Sequence, residues 1–277
     1  MSIPKLNQQQ WQRKLESNRR EFWRDVGEGY KVLCYFSDAG DWAAILQTIA
    51  TEIAGAITER GRLSRILDFG AGTGRPASAI SNLLLTRFEL RTSWTLVEPD
   101  SGARDCCRFL FSSEKNSPGG AAIYSSLPEV PTESPHDVAL LMHSSYEVSD
   151  LDQSIQQLKS RLLGNGTILC LALPQDSPYF SIGRQTYGCS EHVQASLSKA
   201  GYSLTLYKLV SRIKILPEIL ENSNTLKALK AFANGDDLTD AEFIRMVRAH
   251  WRDETDFRDH LIVATPSKSN NEVSSIS

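Results

Sequence analysis

From Ser64 to Val210 the chain alternates between two hydrophobic rhythms. Short apolar runs bounded by turn residues give way to longer stretches in which apolar side chains recur three or four positions apart. The first rhythm predicts buried strands and the second amphipathic helices. Strands are expected at Ile66-Leu67-Asp68-Phe69, Thr92–Val97, Ala121–Tyr124, Asp137–Met142, Thr167–Leu173 and Tyr202–Val210. Asp137–Met142 is apolar after its first residue, which suits a central strand covered on both faces. Helices are expected from Pro76, over Ser101–Phe111, after Ser149-Asp150, and over Glu191–Ala200. The third carries Leu151, Ile155, Leu158 and Leu162 on one face and is stopped by Gly164-Asn165-Gly166. The fourth ends at Gly201, a glycine well placed for a C-terminal cap. Such alternation implies a parallel sheet with helices on both faces.

Two segments stand outside that core of residues 61–212. Residues 1–60 are helical in pattern, with Trp11, Leu15, Phe22, Trp23 and the aromatic-rich run Tyr30–Phe36, and are expected to form an N-terminal cap. Residues 213–259 hold two predicted helices split by Asn234-Gly235-Asp236-Asp237, a helical insertion that serves as a lid. A short last core strand follows at 260–265, centred on Leu261–Ala264. The Ser, Asn and Lys-rich residues 266–277 are expected to be disordered.

Composition narrows the class. A chain of 277 residues suffices for one large α/β domain with additions. A net charge of −3 speaks against nucleic acid as a partner, which draws on a basic surplus. No apolar run is long enough to cross a membrane, and the polar start Lys5–Gln10 does not read as a signal peptide. The cysteines, Cys34, Cys106, Cys107, Cys170 and Cys189, form no C-x-x-C pair. An odd, scattered set points to reduced thiols in a cytoplasmic protein, with Cys106 and Cys107 as helix packing residues. No His/Cys spacing matches zinc, so no metal site is expected. A monomer or a homodimer fits all of this.

The candidate chemistry centres on Phe69-Gly70-Ala71-Gly72-Thr73-Gly74-Arg75-Pro76. A strand ending in Asp68 runs into glycines at alternate positions and then into a helix, which lets the main chain approach a nucleoside closely. A dinucleotide fingerprint needs its third glycine where Arg75 stands, so that reading is disfavoured. Downstream, the second strand ends in Glu98-Pro99-Asp100. An acid there can accept hydrogen bonds from both hydroxyls of a ribose.

The G-x-G-x-G turn after an Asp-ended strand, with Glu98 after the next strand, resembles the class I S-adenosylmethionine (SAM)-dependent methyltransferases. The resemblance covers roughly Leu63 to Val210 and implies a Rossmann-like α/β fold with SAM as cofactor and S-adenosylhomocysteine as product. Size, the helical start, the insertion and the passage Met142-His143-Ser144-Ser145-Tyr146-Glu147-Val148-Ser149-Asp150 look more narrowly like the histamine N-methyltransferase family. Carried over position by position, the resemblance puts Asp68 at the methionine ammonium and Gly70, Gly72 and Gly74 in the close-approach turn. Glu98 and Pro99 come to the ribose, and Met142 to the cofactor. The position after strand three usually carries an acid for the adenine amino group. Here Ser125 and Ser126 stand there, so either a serine hydroxyl serves or both are ordinary turn residues.

On the acceptor side, His143 falls at the carboxyl end of the fourth strand, where open α/β sheets place ligands. It reads as a base or as a wall residue that orients the acceptor, and Tyr146 as a pocket residue or as packing. Tyr30, Tyr35, Phe36, Asp38, Asp41 and Trp42 could hold an alkylammonium by charge and cation–π attraction, although Asp38-Ala39-Gly40-Asp41 also reads as a turn with an N-cap. These features point to methyl transfer to a small molecule, first to an amine nitrogen. The alternatives are oxygen or carbon of a phenol- or indole-type specialised metabolite, and a SAM-binding regulatory protein without turnover.

Overall fold

The computed structural model describes residues 39–57, 63–112, 119–177, 180, 187–213, 220–232, 237–250 and 255–267. Helix α1 (Ala39–Ala56) precedes β1 (Ser64–Phe69), α2 (Arg75–Phe88), β2 (Thr92–Val97), α3 (Ser101–Phe111) and β3 (Ala121–Tyr124). Strand β4 (His136–Met142), α4 (Leu151–Lys159), β5 (Leu162–Ala172), α5 (Ser190–Lys199) and β6 (Tyr202–Ile213) follow. The chain ends through α6 (Ser223–Phe232), α7 (Asp240–His250) and β7 (Thr255–Pro266).

The strands form one sheet in the order β3-β2-β1-β4-β5-β7-β6. The pairs from β3 to β5 are parallel, and β7 lies antiparallel between β5 and β6. Successive residues on a strand face opposite sides, so the sheet sorts its apolar residues into two cores. Ile66, Leu140 and Leu169 pack with Ile49 and Ile53 of α1, Ile80 and Leu84 of α2, and Cys107 of α3. Leu67, Ala139 and Cys170 pack on the other face with Leu151, Ile155 and Leu158 of α4, Val193 and Leu197 of α5, and Phe243 of α7.

Capping chemistry sets several helix starts. Asp150 accepts the Gln153 N–H at 2.9 Å at the head of α4, and Asp100 accepts the Ala103 N–H at 2.7 Å at the head of α3. Helix α2 instead starts from Gly74, left-handed at φ 76°, with Pro76 in its first turn.

Three boundaries differ from the expectations. Leu162 does not continue α4: the helix ends at Lys159, and Leu162 opens β5 opposite His136. Gly164-Asn165-Gly166 therefore lies inside the strand as an irregularity, since the register resumes only at Val138 opposite Thr167. Strands β6 and β7 are both longer than predicted and pair from Tyr202–Pro266 to Ile213–Thr255. The helical insertion is correspondingly shorter, holding α6 and α7 on either side of the predicted break. Of the two packing cysteines, Cys107 is buried but Cys106 is exposed. The predicted N-terminal cap lies within the described residues only as α1, and the predicted disordered tail lies outside them from residue 268 on.

Candidate functional site

The chain leaves β1 toward β2 on one side and later enters β4 on the other, so the sheet has its switch point between β1 and β4. Crevices outside the carboxyl ends of such strands are where open α/β sheets bind ligands. The glycine turn sits there. Its Gly70 and Ala71 N–H groups donate to the Val97 carbonyl at 2.9 and 3.0 Å, which ties it to the end of β2. Gly70, at φ 83°, lies against β4: a Cβ there would stand 2.3 Å from the Ser144 Cβ. The Ser144 hydroxyl donates to the Phe69 carbonyl at 2.7 Å, closing the two strand ends on each other. At Gly72, φ 55°, a Cβ would meet nothing within 4 Å, so this residue faces open space. Gly74 has a different task, since a Cβ there would come within 3.0 Å of the Cys107 sulfur on α3. It packs helix to turn.

Glu98 is 6 % exposed. Its Oε2 accepts the Gly72 N–H and its Oε1 the Asp100 N–H, both at 2.8 Å. Burial pushes its carboxyl up, and these two N–H donors pull it back. Each oxygen keeps a second lone pair, enough for two further donors. Pro99 is exposed, and its carbonyl and that of Glu98 accept the Arg104 guanidinium at 2.6 and 2.8 Å. Met142 ends β4, partly buried against the core of the α2 face.

Asp68 is fully buried, and among the described residues neither carboxylate oxygen has a hydrogen-bond partner. Burial, and secondarily the nearby Glu98 charge, push its pKa up to about 7. A carboxylate stranded in this way is costly unless a cation or donor meets it.

Beyond β3 the two serines are not free hydroxyls. Ser125 and Ser126 donate to Glu129 Oε1 at 2.6 and 2.8 Å. Those hydroxyls hold the Glu129 carboxyl below the usual range. A carboxylate, Glu129, thus stands against both serines, on the short 3-10 turn Leu127–Glu129. It lies five residues beyond Tyr124, the end of β3, too far along the sequence to be read as a strand-end acid.

His143 sits just past β4 in the left-handed region, φ 52°, a strained conformation for a residue with a Cβ. Its ring lies nearly parallel to that of Trp42 on α1, 24° between planes and 6.2 Å between centroids. Nδ1 is 3.1 Å from the Tyr146 hydroxyl, and Nε2 is 3.4 Å from Asp259 Oδ1 on β7. Burial lowers the imidazole pKa, and the Asp259 charge opposes that. Tyr146 is buried, accepts the Leu173 N–H at 2.6 Å, and packs edge-on to Phe180. Its ring is a support for His143 more than a wall open to ligand.

Of the proposed cation pocket, Tyr30, Tyr35, Phe36 and Asp38 lie outside the described residues. Asp41 is committed elsewhere: its carboxylate takes the Arg212 side chain at 2.8 and 2.9 Å and the Arg212 N–H at 3.1 Å. Asp259, expected within the insertion, is a residue of β7. Among the described residues no group of His, Cys, Asp or Glu is arranged to hold a metal ion, and no helix is long and apolar enough to cross a membrane.

No protein-family model and no curated protein matches this chain. Solved structures do share its fold. The YcgJ protein from Bacillus subtilis aligns at a TM-score of 0.56 and 12 % identity, over 79 % of this chain and 98 % of its own. A candidate sarcosine dimethylglycine methyltransferase from Galdieria sulphuraria aligns at 0.50 and 14 %, over 82 % and 84 %. A mycolic acid cyclopropane synthase, solved with S-adenosylhomocysteine, aligns at 0.50 and 12 %, over 79 % and 83 %. The seven-stranded sheet with its helices is the Rossmann-like fold of class I methyltransferases.

Proposed function

We propose that this chain binds SAM and transfers its methyl group to a small molecule, with an amine nitrogen as the first choice of acceptor. The observation that carries the reading is Asp68, a buried carboxylate with both oxygens unpartnered beneath a glycine turn that faces open space. The groups present fit the ligand. The amino-acid ammonium would meet Asp68, the ribose hydroxyls the remaining lone pairs of Glu98, and the adenine amino group Glu129 with its serines. Gly72 leaves the main chain free to approach.

When bound, SAM supplies an electrophilic methyl group on a sulfonium sulfur. The chain's own residues then align the acceptor in line with that methyl and keep competing water out, which can lower a barrier by several kcal/mol. Trp42 stacks on His143 just past β4, at the end of the sheet where the acceptor would lie. The cyclopropane synthase solved with S-adenosylhomocysteine supports the cofactor. The passage Met142–Asp150 carries the narrower resemblance to the histamine N-methyltransferase family, and methylation at oxygen or carbon is the alternative. A SAM-binding protein without turnover is the second reading, favoured by His143 having both ring nitrogens against protein partners.

Glu98→Ala tests the cofactor site. It removes the ribose contacts and should weaken S-adenosylhomocysteine binding by about 1.5–3 kcal/mol, the range for hydrogen bonds to a charged group. Titration calorimetry on the folded variant measures this, and unchanged affinity would refute the assignment. Turnover is then sought as S-adenosylhomocysteine release with amine, phenol and indole panels.

A further inference from the structure

A second buried carboxylate stands beside His143, and the reading above gives it no task. Asp259 is 1 % exposed. Its Oδ2 accepts the Ser211 hydroxyl of β6 at 2.7 Å. Its Oδ1 has no hydrogen-bond partner among the described residues and lies 3.4 Å from His143 Nε2. Strand β7 runs antiparallel to β5 with His260 opposite Ala172, so Asp259 falls at the carboxyl end of β5, level with the crevice. The next residue, His260, is bonded instead to the Ser190 hydroxyl at 2.6 Å.

His143 is enclosed by its neighbours. Tyr146 accepts the Leu173 N–H, and its hydroxyl lies 3.1 Å from His143 Nδ1. Nε2 faces Asp259 Oδ1 at 3.4 Å without a hydrogen bond between them. An imidazole bonded to Tyr146 at Nδ1, set against a buried carboxylate at Nε2 and faced on one side by Trp42 is poorly placed to take a proton from an incoming molecule. The unpartnered Oδ1 is better placed: its carboxylate is fixed by Ser211, and no described residue takes the lone pairs of that oxygen.

We propose that Asp259 Oδ1 accepts the N–H or O–H of the methyl acceptor and takes that proton as the methyl bond forms. His143 and Ser211 are then positioning residues. This rests on the methyl-transfer reading and names its substrate class: a nucleophile that carries its own proton, such as an amine, a phenol or an indole. The balance is closed. The acceptor's lone pair forms the bond to the methyl carbon, the carbon–sulfur electron pair stays on sulfur, and the acceptor's proton passes to Asp259.

The test uses the full chain saturated with S-adenosylhomocysteine and isotope-labelled at its histidine ring nitrogens. The probes come in pairs matched in shape: phenol with anisole, aniline with N,N-dimethylaniline, indole with N-methylindole. The second member of each pair lacks the donor proton. A proton-bearing member is expected to shift the His143 Nε2 resonance and to bind at least about tenfold more tightly than its partner. In Asp259→Asn that preference disappears while affinity for S-adenosylhomocysteine is retained. Equal binding within every pair, no shift of His143 by any probe, or a preference that survives in Asp259→Asn overturns the proposal. The wild-type half decides the matter even if the variant fails to fold. Failure of S-adenosylhomocysteine to bind wild type sinks the methyl-transfer reading, whereas its binding with indifferent probe pairs sinks only the role of Asp259.

Discussion

Asp68→Asn should lower affinity for S-adenosylhomocysteine by roughly two to four orders of magnitude, because removing one partner of a buried ion pair costs about 3–5 kcal/mol. The substitution should also flatten the pH dependence. In the free protein burial holds the Asp68 pKa at about 7, far above its ordinary value of 3.8. A raised carboxyl pKa means that the folded chain holds a proton that the unfolded chain has released across this interval. The contribution of Asp68 to stability is thus present at low pH and is lost as pH rises through about 7. Ligand binding runs the other way. An ammonium requires the ionised carboxylate, so binding below pH 7 must expel a proton. Wild-type affinity should rise by nearly tenfold per unit well below that pKa and level off above it. Calorimetry from about pH 5.5 to about 8.5, in buffers of different ionisation enthalpy, reads both the affinity and the released proton. A flat wild-type profile, or an Asp68→Asn profile that still climbs, removes Asp68 from the ammonium site.

Gly70→Ala should destabilise the fold by about 2–5 kcal/mol and abolish cofactor binding with it. One part is the left-handed backbone at φ 83°, which costs a residue with a Cβ about 1–2 kcal/mol. The other is steric. The new methyl would stand 2.3 Å from the Ser144 Cβ, and overpacking of this kind costs about 1–3 kcal/mol. Relief requires Ser144 to move, which breaks its bond to the Phe69 carbonyl and shifts the adjoining His143. Gly72→Ala is the control: it carries the backbone cost alone, since a Cβ there meets nothing within 4 Å. Chemical denaturation should therefore rank Gly70→Ala well below Gly72→Ala, while calorimetry finds binding weakened in both. Equal stability of the two variants would show that the contact with Ser144 yields without cost.

The central part of this architecture was readable because its signals are local. The strand β1, the glycines after it, the Asp150 cap and Glu98 at the end of β2 are each declared within a few residues. The hairpin of β6 and β7 was not. Its outer half pairs Ser211-Arg212-Ile213 with Thr255-Asp256-Phe257, a mixed polar sequence that reads as loop until the two strands are seen to pair. Gly164-Asn165-Gly166 read as a helix stop because nothing local tells a strand irregularity from a turn. Glu129 and Asp259 escaped for a related reason. Each acquires its meaning from a partner that the fold supplies: Ser125 and Ser126 across a short turn, and His143 from a distant strand. Asp41 shows the converse, an acid that looked available until the fold gave it to Arg212.

A crystal structure of the chain grown with S-adenosylhomocysteine tests the central claim most directly. The account predicts the ligand along the glycine turn, with its amino group within hydrogen-bond distance of Asp68 and both ribose hydroxyls on Glu98. Ligand density elsewhere on the chain, or a ligand in the crevice whose amino group and ribose leave Asp68 and Glu98 unpaired, would contradict it.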